Sequence, residues 1–379
     1  MIYGARETLR EIAEPFDRYM SSEGGQKMPI PDAALVMPSP SPSQLELVVK
    51  ESDDASIGHE RSADEPLQSS DRVICVADVH GNLTQLKALW AALTTHLGGE
   101  AELRRTRVVF LGDYCDRGPD TRGVLDWLVA LKQERTQAGC APAHFLLGNH
   151  DLGFAAFLGC LPVDTQPSAE WLDATLDPSY TEGFWKHPVD GGMHYQGRRW
   201  GAMRTYCSAS TFKSYGVATS FATPPRMRED LLAAVPQAHR DFLQQLQWVH
   251  KQPVAWAPGQ LICVHAGLDE TQPAAAQLGP LLARDLTAKV LHENGDAGRV
   301  AALSGRKNVL PLPAELCGRS LLVSGHHGFC DLSHGCSERI VMDRGGGVPS
   351  HPLDAVVLPE RTVVSSDGSI TEGKGAGAE

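Results

Sequence analysis

The stretch VVFLGDYCDRGPD, residues 108–120, sets Asp113, Asp116 and Arg117 directly behind an apolar run. Charges in such a place are costly unless something neutralises them. The arrangement recurs along the chain. ADVHG offers Asp78 and His80, and GNHD offers Asn149, His150 and Asp151. VHAG offers His265, and SGHHG offers His326 and His327. Each set follows a short apolar run that reads as a buried strand. In open α/β sheets, ligands bind beyond the carboxyl ends of the strands. Five strand ends would therefore aim oxygen and imidazole donors at one crevice.

Those residue types suit a pair of metal ions roughly 3.5–4 Å apart that clamps an in-line displacement at phosphorus. Such a pair needs a shared carboxylate and separate ligands on each side. Asp78 and His80 suit one ion, Asn149, His265 and His326 the other, and Asp113 is the natural bridge. Mixed imidazole and carboxylate donors favour Mn, Fe or Zn over Mg or Ca, with Mn the first expectation. Arg117 can grip phosphate oxygens through its planar fork. Asp116 can orient His150, and an imidazole held by a carboxylate is a ready general acid for a leaving alkoxide or phenoxide. Taken singly, GNHD reads as a turn, an Asp-Arg pair as a surface ion pair and a strand-end histidine as structural. Their order and their common position argue against coincidence.

The elements that must position these residues are legible. RVICVAD, RVVFLGD and AHFLLGNHD read as strands. NLTQLKALWAALTTHL carries Leu83, Leu86, Leu89, Trp90 and Leu93 on one helical face, and TRGVLDWLVALKQER reads as a second helix. Alternating strands and helices are the grammar of a parallel sheet covered by helices. QLICVHAG, SLLVSGHHG, RIVMDRG and AVVLP follow with short connections and suggest a second sheet that pairs antiparallel. Residues 152–221 are irregular and read as an insertion over the sheet face, after which REDLLAAVPQAHRDFLQQLQWV returns to helix. Residues 1–70 are rich in Ser, Pro, Asp and Glu and read as a flexible extension. The catalytic domain is expected over 71–366, and 367–379 reads as a frayed, disordered tail.

Composition bounds the partners. The 379 residues carry 34 basic and 46 acidic side chains, a net charge of −12. Nothing global attracts nucleic acid or an anionic membrane, so neither is expected as a partner. A phosphate-bearing substrate must be attracted locally. No apolar run approaches the roughly 18 residues that span a bilayer. The first 20 residues mix acids with arginines around no apolar core, unlike a secretory or transit signal. Nine cysteines form no zinc-like CxxC pair, and GFCDLSHGC matches no zinc spacing. Cys75 and Cys263 read as small buried hydrophobes. A reduced cytoplasmic compartment, possible for the nucleus too, fits this usage.

Together ADVHG, GDYCDRG, GNHD, VHAGL and SGHHG resemble the phosphoprotein-phosphatase branch of the calcineurin-like metallophosphoesterases, over residues 72 to 366. The resemblance implies an α/β metallophosphoesterase β-sandwich, two mixed sheets flanked by helices, with the insertion over the active-site face. It departs from the eukaryotic serine/threonine enzymes at Asp151, where those carry GNHE. GDYCDRGPDTR, QGRRW, STFKSYGV, LSGRKNV and DRGGGVP resemble the Rhizobiales-like phosphatases more narrowly. The resemblance implies the ligand roles already given, phosphate contacts from Arg117 and Asn149, and His150 with Asp116 as acid. It also implies direct attack on phosphorus by a hydroxide held between the two metals, with no phospho-enzyme. A second phosphate-binding arginine is expected, with Arg306 in LSGRKN as the choice and Arg284 in LLARDL as its rival. The subgroup implies a phosphorylated protein or peptide substrate, with phosphotyrosine preferred. Arg198 and Arg199 in MHYQGRRW would suit an anion pocket for a second phosphate or acidic side chains, although a solvated basic turn is an equal reading. The same motifs serve a serine/threonine-specific phosphatase or a small-molecule phosphoesterase such as a diadenosine tetraphosphate hydrolase. A non-catalytic phosphate-binding module would require a lost ligand, and every expected position is filled.

Overall fold

The run VICV at Val73–Val76 forms β1 with all four residues buried. Branched apolar side chains pack well on a sheet covered on both faces. In the computed structural model, residues 71–164, 183–220, 222–345, 348 and 350–373 are described. All lie in the second of two units of the chain, Ala63–Glu379. After β1 come α1 (Leu83–His96), α2 (Glu100–Arg105), β2 (Arg107–Phe110), α3 (Thr121–Glu134), β3 (Ala143–Phe145) and α4 (Asn149–Leu158). The expected insertion holds α5 (Tyr195–Gly201) and α6 (Ala209–Ser214). Then follow α7 (Arg226–Ala234), α8 (Gln237–Gln244), β4 (Val249–Pro253), β5 (Gln260–Val264) and α9 (Ala274–Leu282). A two-stranded ribbon, β6 (His292–Glu293) and β7 (Asp296–Val300), leads into α10 (Ala301–Ser304). The chain closes with β8 (Leu321–Ser324), β9 (Cys330–Asp331), β10 (Arg339–Met342), β11 (Asp354–Leu358), β12 (Thr362–Ser365) and β13 (Ile370–Glu372).

Two mixed sheets result, one ordered β13-β12-β11-β1-β2-β3 and the other β4-β5-β8-β10-β9. Their centres face each other: the sulfurs of Cys75 on β1 and Cys263 on β5 lie 3.8 Å apart, fully buried, as free thiols. The two-sheet α/β sandwich that the resemblance implied is therefore present.

Three expectations need correction. The late strands do not simply pair antiparallel, because β5, β8 and β10 run parallel to one another. β11 joins the first sheet instead, antiparallel to β1. The tail starts later than expected, since Ile370–Glu372 pairs with β12 as an edge strand. The helical stretch breaks at Pro236, which lacks the amide that would continue the helix. The flexible reading of 1–70 and the end of the tail, 374–379, fall outside the described residues.

Where the sheet edges meet, His144 on β3 and His250 on β4 stack with ring centroids 3.8 Å apart. Burial pushes His144 down to about 4, and His250 and Arg107 add to the effect. The unfolded imidazole titrates near ~6.5. The neutral ring thus contributes stability above that pH, and the contribution is lost as pH falls from about 6.5 to about 4. His144→Gln should flatten the fall of Tm with pH across that window. An unchanged slope would place the acid sensitivity elsewhere.

Candidate metal centre

The strand-end loops are braced against one another before any side chain meets. The amides of Val79 and His80 both donate to the Asp113 carbonyl, at 3.1 and 2.8 Å, and the Gly325 amide donates to the His265 carbonyl at 2.9 Å. His80, Asp113, Asp116, Arg117 and His326 all have positive φ, between 45° and 71°. Non-glycine residues seldom adopt that region, and such strain collects at functional sites. Two glycines permit the closest approaches. A Cβ on Gly148 would lie 2.0 Å from Asp113 Oδ1, and one on Gly325 would lie 2.1 Å from Asp78 Oδ1. Gly325→Ala should therefore cost about 1–3 kcal/mol as overpacking and displace the Asp78 carboxylate. Denaturant midpoints and metal content would both fall; full metal content in a destabilised variant would mean that Asp78 holds none.

Asp113 sits at the centre, as the sequence suggested. Its Oδ2 lies 3.5 Å from His80 Nε2, 3.4 Å from His265 Nε2 and 4.0 Å from His150 Nε2. Donor atoms cluster in two sets that share Asp113: His80, Asp113 and His150, and Asp113, His265 and His326. Asn149 Oδ1 is 3.2 Å from His265 Nε2. Asp78 stands slightly back, with Oδ2 4.0 Å from His80 Nε2 and both oxygens accepting from the His326 amide. Of the two adjacent histidines, His327 bonds through Nε2 to the Ala266 carbonyl, leaving His326 as the donor.

The residues fit a pair of cations. His80 Nε2 and His326 Nε2 are buried with no hydrogen-bond partner among the described residues. The other ring nitrogens of His80 and His265 meet the carbonyls of Cys115 and Leu111, at 2.9 and 2.8 Å. A carbonyl facing Nδ1 accepts a hydrogen bond from its N–H, which fixes the tautomer and leaves the Nε2 lone pair for a metal. Burial pushes Asp78 well above the usual carboxylate range, with Asp343 and Asp113 adding to it. Burial acts likewise on Asp113, but the imidazoles of His265 and His150 outweigh it and hold this carboxyl well below that range. Burial lowers His265, yet Asp113 and Asp78 overcome it and lift the imidazole to about 10. With protein groups alone, a proton on His265 has to supply the positive charge that the carboxylates demand. A divalent cation supplies it better and lets His265 ligate in its neutral form. His80 and His326 are already driven neutral by burial.

Beside this centre lies a second constellation. His150 Nδ1 is 2.8 Å from Asp116 Oδ2, and Arg117 Nη2 is 3.3 Å from His150 Nε2. Burial pushes His150 down to about 3, with Arg117, His265 and Arg306 acting in the same direction against Asp113. Burial pushes Asp116 up to about 8, against hydrogen bonds from Thr211 and Trp200. Arg117 is exposed at the mouth, and Arg306 donates to the His326 carbonyl at 2.8 Å.

The arginines are placed differently. Arg284 is engaged by Asp164, at 2.5 and 3.1 Å, and by the Gln244 carbonyl, whereas Arg306 reaches the carbonyl of His326 beside the donor sets. Arg198 is buried and donates to the carbonyls of Trp185 and His187, which makes it a brace within the insertion and not a pocket wall. Arg199 remains near the centre, stacked over the rings of Tyr195 and Tyr206 at 5.6 and 5.8 Å.

Asp151 has a role that its motif does not announce. Its carboxylate accepts from the amides of Gly148, Asp113 and Tyr114, at 3.0, 2.7 and 2.8 Å. It ties the third strand end to the second. Tyr206, whose ring meets His150 edge-on at 4.9 Å, carries no sequence signal as a site residue. Trp200 and Thr211, which touch Asp116, lie in QGRRW and STFKSYGV, segments that carry the narrower resemblance without announcing a site role.

Residues 71–327 match the family model of calcineurin-like phosphoesterases, and the chain belongs to that family. The family makes it a phosphoester hydrolase with a dimetal centre. Among solved structures it is similar to a proposed diadenosine tetraphosphatase, at 19% identity over 82% of this chain and 96% of that one, with a TM-score of 0.38. It is similar to a cold-active protein tyrosine phosphatase of a psychrophilic Shewanella, at 15% identity over 80% of each chain, with a TM-score of 0.45. A protein serine/threonine phosphatase from Saccharomyces cerevisiae shows 9% identity over 82% and 81%, with a TM-score of 0.39. The three printed activities differ, and likeness at this level decides nothing about substrate. No curated protein matches the chain. Among the described residues, no helix is long and apolar enough to cross a membrane.

Proposed function

We propose that the chain is a two-metal phosphoprotein phosphatase that prefers phosphotyrosine. The observation that carries the reading is Asp113, shared by two donor sets and flanked by a His150–Asp116 pair with Arg117 at its outer nitrogen. In this reading Asp78, His80 and Asp113 hold one ion, and Asp113, Asn149, His265 and His326 hold the other. Manganese is the ion we expect, before iron or zinc. When bound, such a pair supplies Lewis-acid charge and a nucleophile derived from water at neutral pH.

The protein's own groups do the rest. Arg117, Arg306 and Asn149 bind the non-bridging phosphoryl oxygens, with Arg117 fitting them bidentately. Before substrate arrives, His150 is neutral, donating from Nδ1 to Asp116 and accepting from Arg117 at Nε2. A phosphate dianion draws Arg117 onto its oxygens and raises the proton affinity of Nε2. His150 then takes a proton from solvent at Nε2 and gives it to the leaving oxygen as the bond to phosphorus breaks, returning to the neutral imidazole, while water supplies the oxygen that completes inorganic phosphate and releases its own proton to solvent. Support for phosphotyrosine comes from an aromatic wall next to the acid: buried Tyr206 meets His150 edge-on, and Arg199 links it to half-buried Tyr195, so an aryl group can pack against Arg199 and Tyr195. A cytoplasmic or nuclear setting accords with phosphoprotein substrates.

Phosphate release after manganese loading tests the reading. The panel is phosphotyrosine, phosphoserine and phosphothreonine peptides and diadenosine tetraphosphate. Fastest release from the phosphotyrosine peptide is expected. Preferred turnover of the dinucleotide would keep the metal centre and replace the substrate class.

A further inference from the structure

The acid pair is not held by its own motifs. Asp116 is fully buried in a left-handed backbone conformation, with φ of 71°. Its Oδ2 accepts from His150 Nδ1 at 2.8 Å and also from Trp200 Nε1 at 2.8 Å. Its Oδ1 accepts from Thr211 Oγ1 at 2.7 Å, and its amide donates back to the same hydroxyl at 3.0 Å. Thr211 Oγ1 is also 3.0 Å from Thr121 Oγ1 at the start of α3. Trp200 and Thr211 belong to α5 and α6, in the segment that interrupts the strand–helix alternation.

That segment is locked in place. Trp200 lies between Phe154 and Phe212, with centroids at 4.9 and 5.2 Å, and Phe157 closes the stack at 5.2 Å. α4 and α5 approach closely because α5 turns two glycines toward α4. A Cβ on Gly197 would come 2.8 Å from Ala156, and one on Gly201 would come 2.2 Å from the Phe157 ring. The Arg122 amide donates to Ser214 Oγ at 2.7 Å, which pins α6 to α3. α4 itself begins at Asn149 and His150. One rigid block therefore carries both the imidazole and the two donors that fix its carboxylate.

We infer that Trp200 and Thr211 are positioning residues for proton transfer, through which the insertion aims His150 at the leaving oxygen. This rests on the acid role given to His150 above. Held only by His150, the Asp116 carboxylate would be able to rotate about its terminal torsion, and the imidazole would follow it. With both oxygens engaged by buried donors, a single orientation survives.

The test compares two substrates on the manganese-loaded full chain: p-nitrophenyl phosphate, whose leaving group needs little protonation, and phenyl phosphate, whose leaving group needs more. Trp200→Phe keeps the ring stack and removes the N–H. Thr211→Val removes the hydroxyl at constant shape, and Thr211→Ser restores it. A positioned general acid is worth about 10²–10⁴-fold, so kcat on phenyl phosphate should fall about tenfold or more in Trp200→Phe and Thr211→Val. On p-nitrophenyl phosphate both should stay within about threefold, and Thr211→Ser should recover the phenyl phosphate rate. Equal losses on both substrates, or no loss on either, would overturn the inference. His150→Ala, run alongside, separates the two failures. If it shows the leaving-group split and the insertion variants do not, only the positioning role falls. If His150→Ala shows no split, the acid reading falls and takes the positioning role with it. Should Trp200→Phe fail to fold, the Thr211 pair decides.

Discussion

Asp113→Asn should lower turnover more than about a hundredfold and reduce bound metal, because loss of even an outer partner of a metal site costs about 10–100-fold in affinity. Asp113 is an inner group for both donor sets. Its Oδ2 lies within 4.0 Å of His80, His150 and His265 at once, and its Oδ1 accepts from the His150 amide. An amide there removes the negative charge that two cations would share and offers one oxygen in place of two. The substitution is nearly isosteric, so the brace from the Asp113 amide to Asp151 should survive and the fold with it. The measurement is metal stoichiometry beside kcat, with Tm as the control for folding. A variant that binds two ions normally and retains its rate would remove Asp113 from the centre of the mechanism.

His150→Ala should separate chemistry from metal binding. Turnover of an ester with a poor leaving group should fall about 10²–10⁴-fold, the usual worth of a positioned proton donor, while metal content stays near that of the unaltered chain. The competing role is specific, since His150 Nε2 groups with His80 and Asp113 as a possible ligand. Two contacts speak against it. Nδ1 faces Asp116, and Nε2 faces the guanidinium of Arg117 at 3.3 Å, where a cation would be repelled. Loss of one ion per chain in His150→Ala would decide for the ligand role.

The alternation of apolar runs with helical spacing, and the polar residues that end each run, were sufficient to place Asp78, His80, Asp113, Asn149, His265 and His326 at one crevice. That much is local: a buried strand needs a continuous apolar run, and a sharp turn beyond it needs glycine. The surroundings of Arg306 and Arg284 were not local. Both follow helical or loop sequence of similar character, and only the fold brings Asp164 to one and the His326 carbonyl to the other. Arg198 and Arg199 are neighbours in sequence, yet helix geometry buries the first and leaves the second against Tyr195 and Tyr206. The pairing of β8 with β10 and the return of β11 to the first sheet depended on which edge was open, a long-range condition that no strand encodes by itself. Trp200 and Thr211 lie 84 and 95 residues from Asp116 along the chain, and the segments that hold them, QGRRW and STFKSYGV, do not say by themselves which side chains reach it. The sequence by itself determined which donors end the strands, because that is set by burial and turn chemistry over a few residues. Only the tertiary structure decided what holds Asp116, because a buried carboxylate must find its hydrogen-bond donors wherever the packed chain delivers them.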